Sequence, residues 1–173
     1  MSSSETKAYD KDLFPGVRGG ADTNTKAQVA AVHHIRLQGA AGALALIIAA
    51  IHIVDQGGIP GSKTPTYVGL GYWILELAAI GVAAALFTRS APRLTWVTAL
   101  GVASGPLIGY ILSRGPGLPS YTDDKGNWTE PLGLLSVVAE GLLVLVAVAA
   151  AWLLNQTRSE GRRDNSRGVV AAR

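Results

Sequence analysis

The chain predicts an all-α fold: a polytopic four-helix transmembrane bundle with both termini on the cytoplasmic side. Three observations carry that expectation. Four apolar stretches, residues 37–54, 64–90, 94–113 and 131–157, each run for 18 residues or more, and a helix needs about 20 mostly apolar residues to cross the hydrocarbon of a bilayer. The stretches are apolar all round, whereas the helices of a soluble bundle would show a polar face at a period of about 3.6 residues. The charged residues, 16% of the 173 against 49% hydrophobic, crowd into the gaps and the ends.

Residues 1–34 are rich in Ser, Thr, Asp, Lys and Gly. Such a stretch cannot bury enough apolar surface to offset its ordering entropy, so a cytoplasmic, largely disordered tail is expected, with 27–34 able to extend the first helix inward. No cleavable signal is visible, because the first apolar run begins only at Leu37. The transmembrane domain is placed at 35–157, with spans at about 36–54, 66–88, 94–113 and 131–156. Gly57, Gly58, Pro60 and Gly61 mark the first outer loop. The short RSAPR turn, residues 89–93, makes the second and third spans antiparallel neighbours. The third span carries Gly101, Gly105 and Gly109 at four-residue spacing, a pattern that lets lipid-embedded helices approach closely. Pro106 removes a backbone donor there and is expected to bend the helix, with Ser104 and Thr98 placed to recover the freed bonding. The outer connection 114–130 is the longest, and residues 158–173 form a basic cytoplasmic tail.

Orientation follows from charge. Of the 15 Lys and Arg residues, 12 fall on the side holding both tails and the 89–93 turn, leaving Lys63, Arg114 and Lys125 on the other. Excess Lys/Arg in short flanks marks the cytoplasmic face. The pI near 9.4 therefore reflects topology and some affinity for anionic headgroups; no nucleic-acid partner is expected. The absence of cysteine excludes disulfides, thiolate zinc sites and iron–sulfur clusters. The heavy use of Ala, Gly and Arg with few Lys points to a GC-rich bacterial genome, and hence to the cytoplasmic (inner) membrane.

Chemistry concentrates at two acids. Glu76 lies nine residues past Tyr67 and Glu140 nine past Pro131, which places both about 13 Å below the outer boundary at 1.5 Å per residue. An ionisable residue inside a span is a functional-site hypothesis by default. The two acids could share a proton, bind a cation together, or stay neutral and hydrogen-bonded within the bundle. Shifting the chain by 64 residues lays Glu76 on Glu140 and Gly-Ile-Pro-Gly (58–61) on Gly-Leu-Pro-Ser (117–120). This is either a parallel repeat of the kind transporters use or chance similarity among Gly- and Leu-rich spans.

An outer-face polar group comprises His52, Asp55, Tyr110, Arg114, Asp123 and Asp124. With Glu130, the acids of this group and His52 are also conceivable as a surface metal site, although they lack metal-ligand spacing. His34 and His52 are 18 residues apart, on one helical face. A haem would need a second ligand from another chain. Tyr121, Trp128 and Pro131 are the expected partner-loop anchors, because aromatics supply much of the contact area at interfaces. No phosphate loop, Ser–His–Asp arrangement or HExxH is present, so no catalytic residue is assigned.

The run GYILSRGPGLPSYTDDKGNWTEPLG, residues 109–133, resembles a segment of small four-span membrane proteins of actinobacteria and related bacteria. In those the pattern G-Y-x-L-S-R, then G-L-P, then W-x-E-P-L-G recurs, followed by a glutamate in the fourth span. The matching residues here are Gly109, Tyr110, Leu112, Ser113, Arg114, Gly117, Leu118, Pro119, Trp128, Glu130, Pro131, Leu132, Gly133 and Glu140. The likeness extends more loosely back to His52 and leaves both tails uncovered. It implies the topology and points to the outer face without naming an activity.

The expected role is a non-enzymatic accessory or structural subunit of a larger bacterial membrane complex, or a homo-oligomer. Contacts would run through the 112–133 loop and the transmembrane faces, and no cofactor is expected. The alternative is a small proton- or cation-coupled carrier using Glu76 and Glu140. A lesser one is a haem- or metal-binding redox subunit.

Overall fold

The computed structural model describes residues 15–88 and 93–171, which form four helices: α1 (Pro15–Asp55), α2 (Thr66–Phe87), α3 (Arg93–Arg114) and α4 (Pro131–Ala171). Each contains a segment long and apolar enough to cross a membrane: Ala31–Asp55, Thr66–Phe87, Arg93–Arg114 and Pro131–Gln156. The only strand-like pairing among the described residues is the isolated bridge between Leu118 and Tyr121. The expected all-helical, four-span architecture is therefore present.

Two boundaries differ from expectation. The disordered tail expected over 1–34 is helical from Pro15 onward, and α4 continues through the basic tail to Ala171; residues 1–14, 172 and 173 lie outside the described residues. Low hydrophobicity argued for disorder. However, Pro at the first helical position and an alanine-rich run at 27–32 carry intrinsic helix preference that needs no core.

The core is built mainly from alanine at four-residue spacing: Ala41, Ala45 and Ala49 on α1, Ala79 and Ala83 on α2, Ala99 and Ala103 on α3, and Ala139 and Ala147 on α4. With little hydrophobic drive between helices in lipid, small residues allow the backbone approach that packing requires. Ile48, Leu86 and Leu143 fill the space between them. At the C-terminal end of α2 the Phe87 ring lies against Gly42 of α1, where a Cβ would stand 2.9 Å from it. α3 packs against both α2 and α4.

Packing on α3 corrects one expectation. Gly101, Gly105 and Gly109 have nothing within 4 Å of where a Cβ would stand, so they are not the contact face within the chain. Ala99 and Ala103 are, and they lie two residues, about 200°, around the helix from the glycines. The span carries two stripes of small residues, and the bulkier alanines won the buried one. Nor do the hydroxyls of α3 recover the carbonyl freed by Pro106, which belongs to Val102. Ser104 Oγ donates to the Leu100 carbonyl at 2.7 Å, and Thr98 Oγ1 to Leu94 at 2.9 Å.

Candidate functional site

The last turn of α1 organises a buried polar belt. His52 and Gln56 are four residues apart and so share one face of that turn. Gln56 Nε2 donates to Glu76 Oε1 on α2 at 2.7 Å. His52 Nε2 lies 3.9 Å from Glu140 Oε1 on α4. Ser136, one turn before Glu140, donates its hydroxyl to the same carboxylate oxygen. All four of His52, Gln56, Glu76 and Glu140 are under 9% exposed. His52 Nδ1 is 2.9 Å from the Ile48 carbonyl. A carbonyl only accepts, so Nδ1 carries a proton and Nε2 is the ring nitrogen that faces Glu140.

Both acids stay well inside the spans Thr66–Phe87 and Pro131–Gln156, and each finds a partner on α1, Gln56 for Glu76 and His52 for Glu140, at the point where α1 gives way to a loop. α1 therefore ends about nine residues, or ~13 Å, short of the outer ends of α2 and α4. The end itself is set by glycine. Gly58 N–H bonds to the Ile53 carbonyl at 2.8 Å and Gly57 N–H to Val54 at 3.1 Å. That is the paired reversal that terminates helices, with Gly57 at φ 95°.

Beside this belt a cavity of about 520 Å³ opens among α2, α3, α4 and the end of α1. His52, Ser136 and Glu140 lie at its α1 end, while Leu75, Ala78, Val102 and the three glycines of α3 make an apolar wall. Glu76 does not line it, so the structure does not join the two acids in one site; each has its own partner on α1. Glu140 Oε2 is buried with no hydrogen-bond partner.

The outer-face residues gather into two knots at the outer end of the cavity. In the first, Asp55 accepts from the Tyr72 hydroxyl and from Lys63 Nζ at 3.2 Å; the Tyr72 ring packs 5.3 Å from that of His52. The second centres on Arg114. Its guanidinium reaches Asp124 at 3.3 Å and Glu130 at 3.2 Å, and stacks 4.3 Å from the Tyr110 ring. Tyr110 donates to the Trp128 carbonyl at 2.6 Å, and Tyr121 to Asp124 at 2.7 Å. Burial, followed by that bond to Asp124, pushes the Tyr121 phenol above its usual range, so it remains a neutral donor across working pH. Tyr67 ties α2 to the loop by donating to the Pro119 carbonyl at 2.7 Å.

Several sequence expectations sort themselves on this frame. Tyr121 is not a surface anchor, because it is 7% exposed and engaged inside the loop. Trp128 is 46% exposed, and Pro131 and Asp123 are exposed too. The conceivable metal group does not converge: among the described residues no three His, Asp or Glu side chains come together to hold an ion, since Asp55, Asp124 and Glu130 each face a cation. Sequence reasoning missed Gln56, Ser136 and the capping role of Glu130, whose carboxylate accepts from Leu132 N–H at 3.1 Å and Gly133 N–H at 2.7 Å. The signals existed: Gln56 is four residues past His52, Ser136 four before Glu140, and Glu130 immediately precedes a proline at a helix start.

No known protein family, curated protein or solved structure matches this chain.

Proposed function

We propose that this chain is a non-enzymatic binding subunit of the bacterial cytoplasmic membrane, with both termini inside, that holds a small organic cation against His52 and Glu140. One observation carries the reading: Glu140, 1% exposed, lines a mostly apolar cavity and keeps one carboxyl oxygen without a hydrogen-bond partner. A buried acceptor left unpaired costs about 1–3 kcal/mol, and a donor that fills it recovers that. The ion pairs around the cavity agree. Asp124 and Glu130 share Arg114, and Asp55 faces Lys63, which leaves the Glu140 carboxyl as the lining acid without a Lys or Arg beside it. With its ring neutral, His52 Nε2 adds a second acceptor. A primary ammonium, with three N–H donors on a point charge, suits that pair.

The test is saturable binding of butylamine to the purified full chain in lipid nanodiscs. Glu140→Gln should weaken it about tenfold or more, the worth of a charge-assisted bond. Glu76→Gln, outside the cavity, should change it by less than about threefold on the same scale. No saturable binding to wild type, or equal binding to Glu140→Gln, overturns the reading.

A second reading, an accessory subunit of a larger membrane complex, is favoured by Trp128. Its ring stands half-exposed on a loop pinned by the Tyr110 bond, a rigid aromatic of the kind that anchors interfaces. A mild-detergent pull-down should recover a stoichiometric partner that Trp128→Ala loses; a partner-free chain sinks this reading.

A further inference from the structure

We infer that the ligand of the His52–Glu140 site enters sideways from the bilayer, between α2 and α3, and is an amphiphile: an apolar chain carrying a protonated primary amine. The inference rests on the cation-binding reading above and concerns how the site is reached and what body the ligand has. Ile74, Thr98, Gly101 and Gly105 all line the cavity and are all exposed. They lie inside the candidate spans Thr66–Phe87 and Arg93–Arg114. The cavity therefore opens on the flank of the bundle, at the depth where lipid would surround it.

The axial route is obstructed by polar straps. The Tyr67–Pro119 bond links α2 to the 115–130 loop, and the Arg114–Asp124–Tyr121 knot stands beside it. On the flank the opposite holds. The α3 glycines have open space where a side chain would begin, so the doorway is kept clear by the absence of Cβ atoms rather than by a moving part. Glycine lowers helix stability, and here three recur at four-residue spacing without a packing partner inside the chain.

Glycines alone would say nothing about a ligand. The independent observation is the unpartnered Oε2 of Glu140, a residue that lines the same cavity. A head group able to bond there while its tail leaves between Ile74 and Gly105 must be polar at one end and apolar along the rest. The acceptors at the floor make the head a donor and a cation, and the mostly apolar wall makes the tail a hydrocarbon. Short amines such as butylamine share the head chemistry but leave the apolar gap between Ile74 and Gly105 unfilled.

The experiment uses the full chain in nanodiscs with radiolabelled dodecylamine and butylamine, with empty nanodiscs subtracting partition into lipid. Dodecylamine should bind at least about tenfold more tightly at equal aqueous concentration, because each buried methylene adds to transfer from water. Gly105→Leu should weaken dodecylamine about tenfold while butylamine changes by less than about threefold, a blocked doorway rather than a damaged floor. Should Gly105→Leu fail to fold, Thr98→Cys carrying a bulky maleimide gives the same block, since the native chain has no cysteine to compete. Equal affinity for both amines, or a portal block that leaves dodecylamine unaffected, overturns lateral entry while leaving the floor intact. If Glu140→Gln binds both amines as wild type does, the cation-binding reading itself has failed.

Discussion

A methyl group at Gly133 would stand 2.8 Å from both Glu130 Oε2 and the Tyr110 ring and 3.0 Å from Arg114. Those three atoms are the Arg114 knot, so Gly133→Ala should force the ion pair and the stacked ring apart. Overpacking of this kind costs about 1–3 kcal/mol. A lower thermal midpoint in detergent is expected, whereas Gly101→Ala, which meets open space, should leave the midpoint unchanged or raise it. Arg114→Lys tests the same knot from its centre. Lysine keeps the charge but loses the planar fork and the stacking on Tyr110, so a loss of about 1.5–3 kcal/mol, the scale of one hydrogen bond to a charged group, is expected in chemical denaturation. These residues all stand in the 109–133 run that the sequence singles out. What the run could not convey was that all four touch, because the loop between them returns through turns at Gly117 and Ser120, both at positive φ. A left-handed serine carries no sequence mark as plain as glycine would.

At the scale of the element, the starts and stops of the helices were largely legible and their relative heights were not. Apolar run length found every span to within a few residues at the outer ends. Pro131 at the first position of α4 and the Gly57–Gly58 pair after α1 are ordinary punctuation. Depth along one helix placed the two acids well inside their spans, where they stand, but it says nothing about where a neighbouring helix ends, so their partners at the terminus of α1 could not be read from it. The capping carboxylate gives an element-scale prediction. Glu130→Ala removes the acceptor for two amides at the start of α4 and one arm of the Arg114 knot. Cap loss costs about 1 kcal/mol. Hydrogen exchange should quicken at the Leu132 and Gly133 amides first, ahead of any change at Ala139 or Leu143 in the core. Uniform acceleration along α4 would mean that the cap does not act locally.

For the molecule as a whole, the four apolar spans make it a multi-pass membrane protein, and the distribution of charge supports the proposed orientation with both termini inside. Lys125 is exposed on the loop between α3 and α4, on the side that holds few of the basic residues. The positive-inside rule acts on Lys and Arg in short loops and flanks, and the connections here are short enough for it to dominate. Lys125→Cys should react with a membrane-impermeant maleimide in intact cells, and so should Ser62→Cys on the other outer loop, also exposed. Ser159→Cys, just beyond the last span, should react only after the membrane is opened. The chain supplies no thiol of its own, so each signal belongs to the introduced residue. The reverse pattern would put His52 and Glu140 at the cytoplasmic face, and the proposed amine would then reach them from the inner leaflet. Labelling at Lys125→Cys and Ser159→Cys from the same side would break the four-span count itself, because an even number of crossings between residues 125 and 159 contradicts a single helix there.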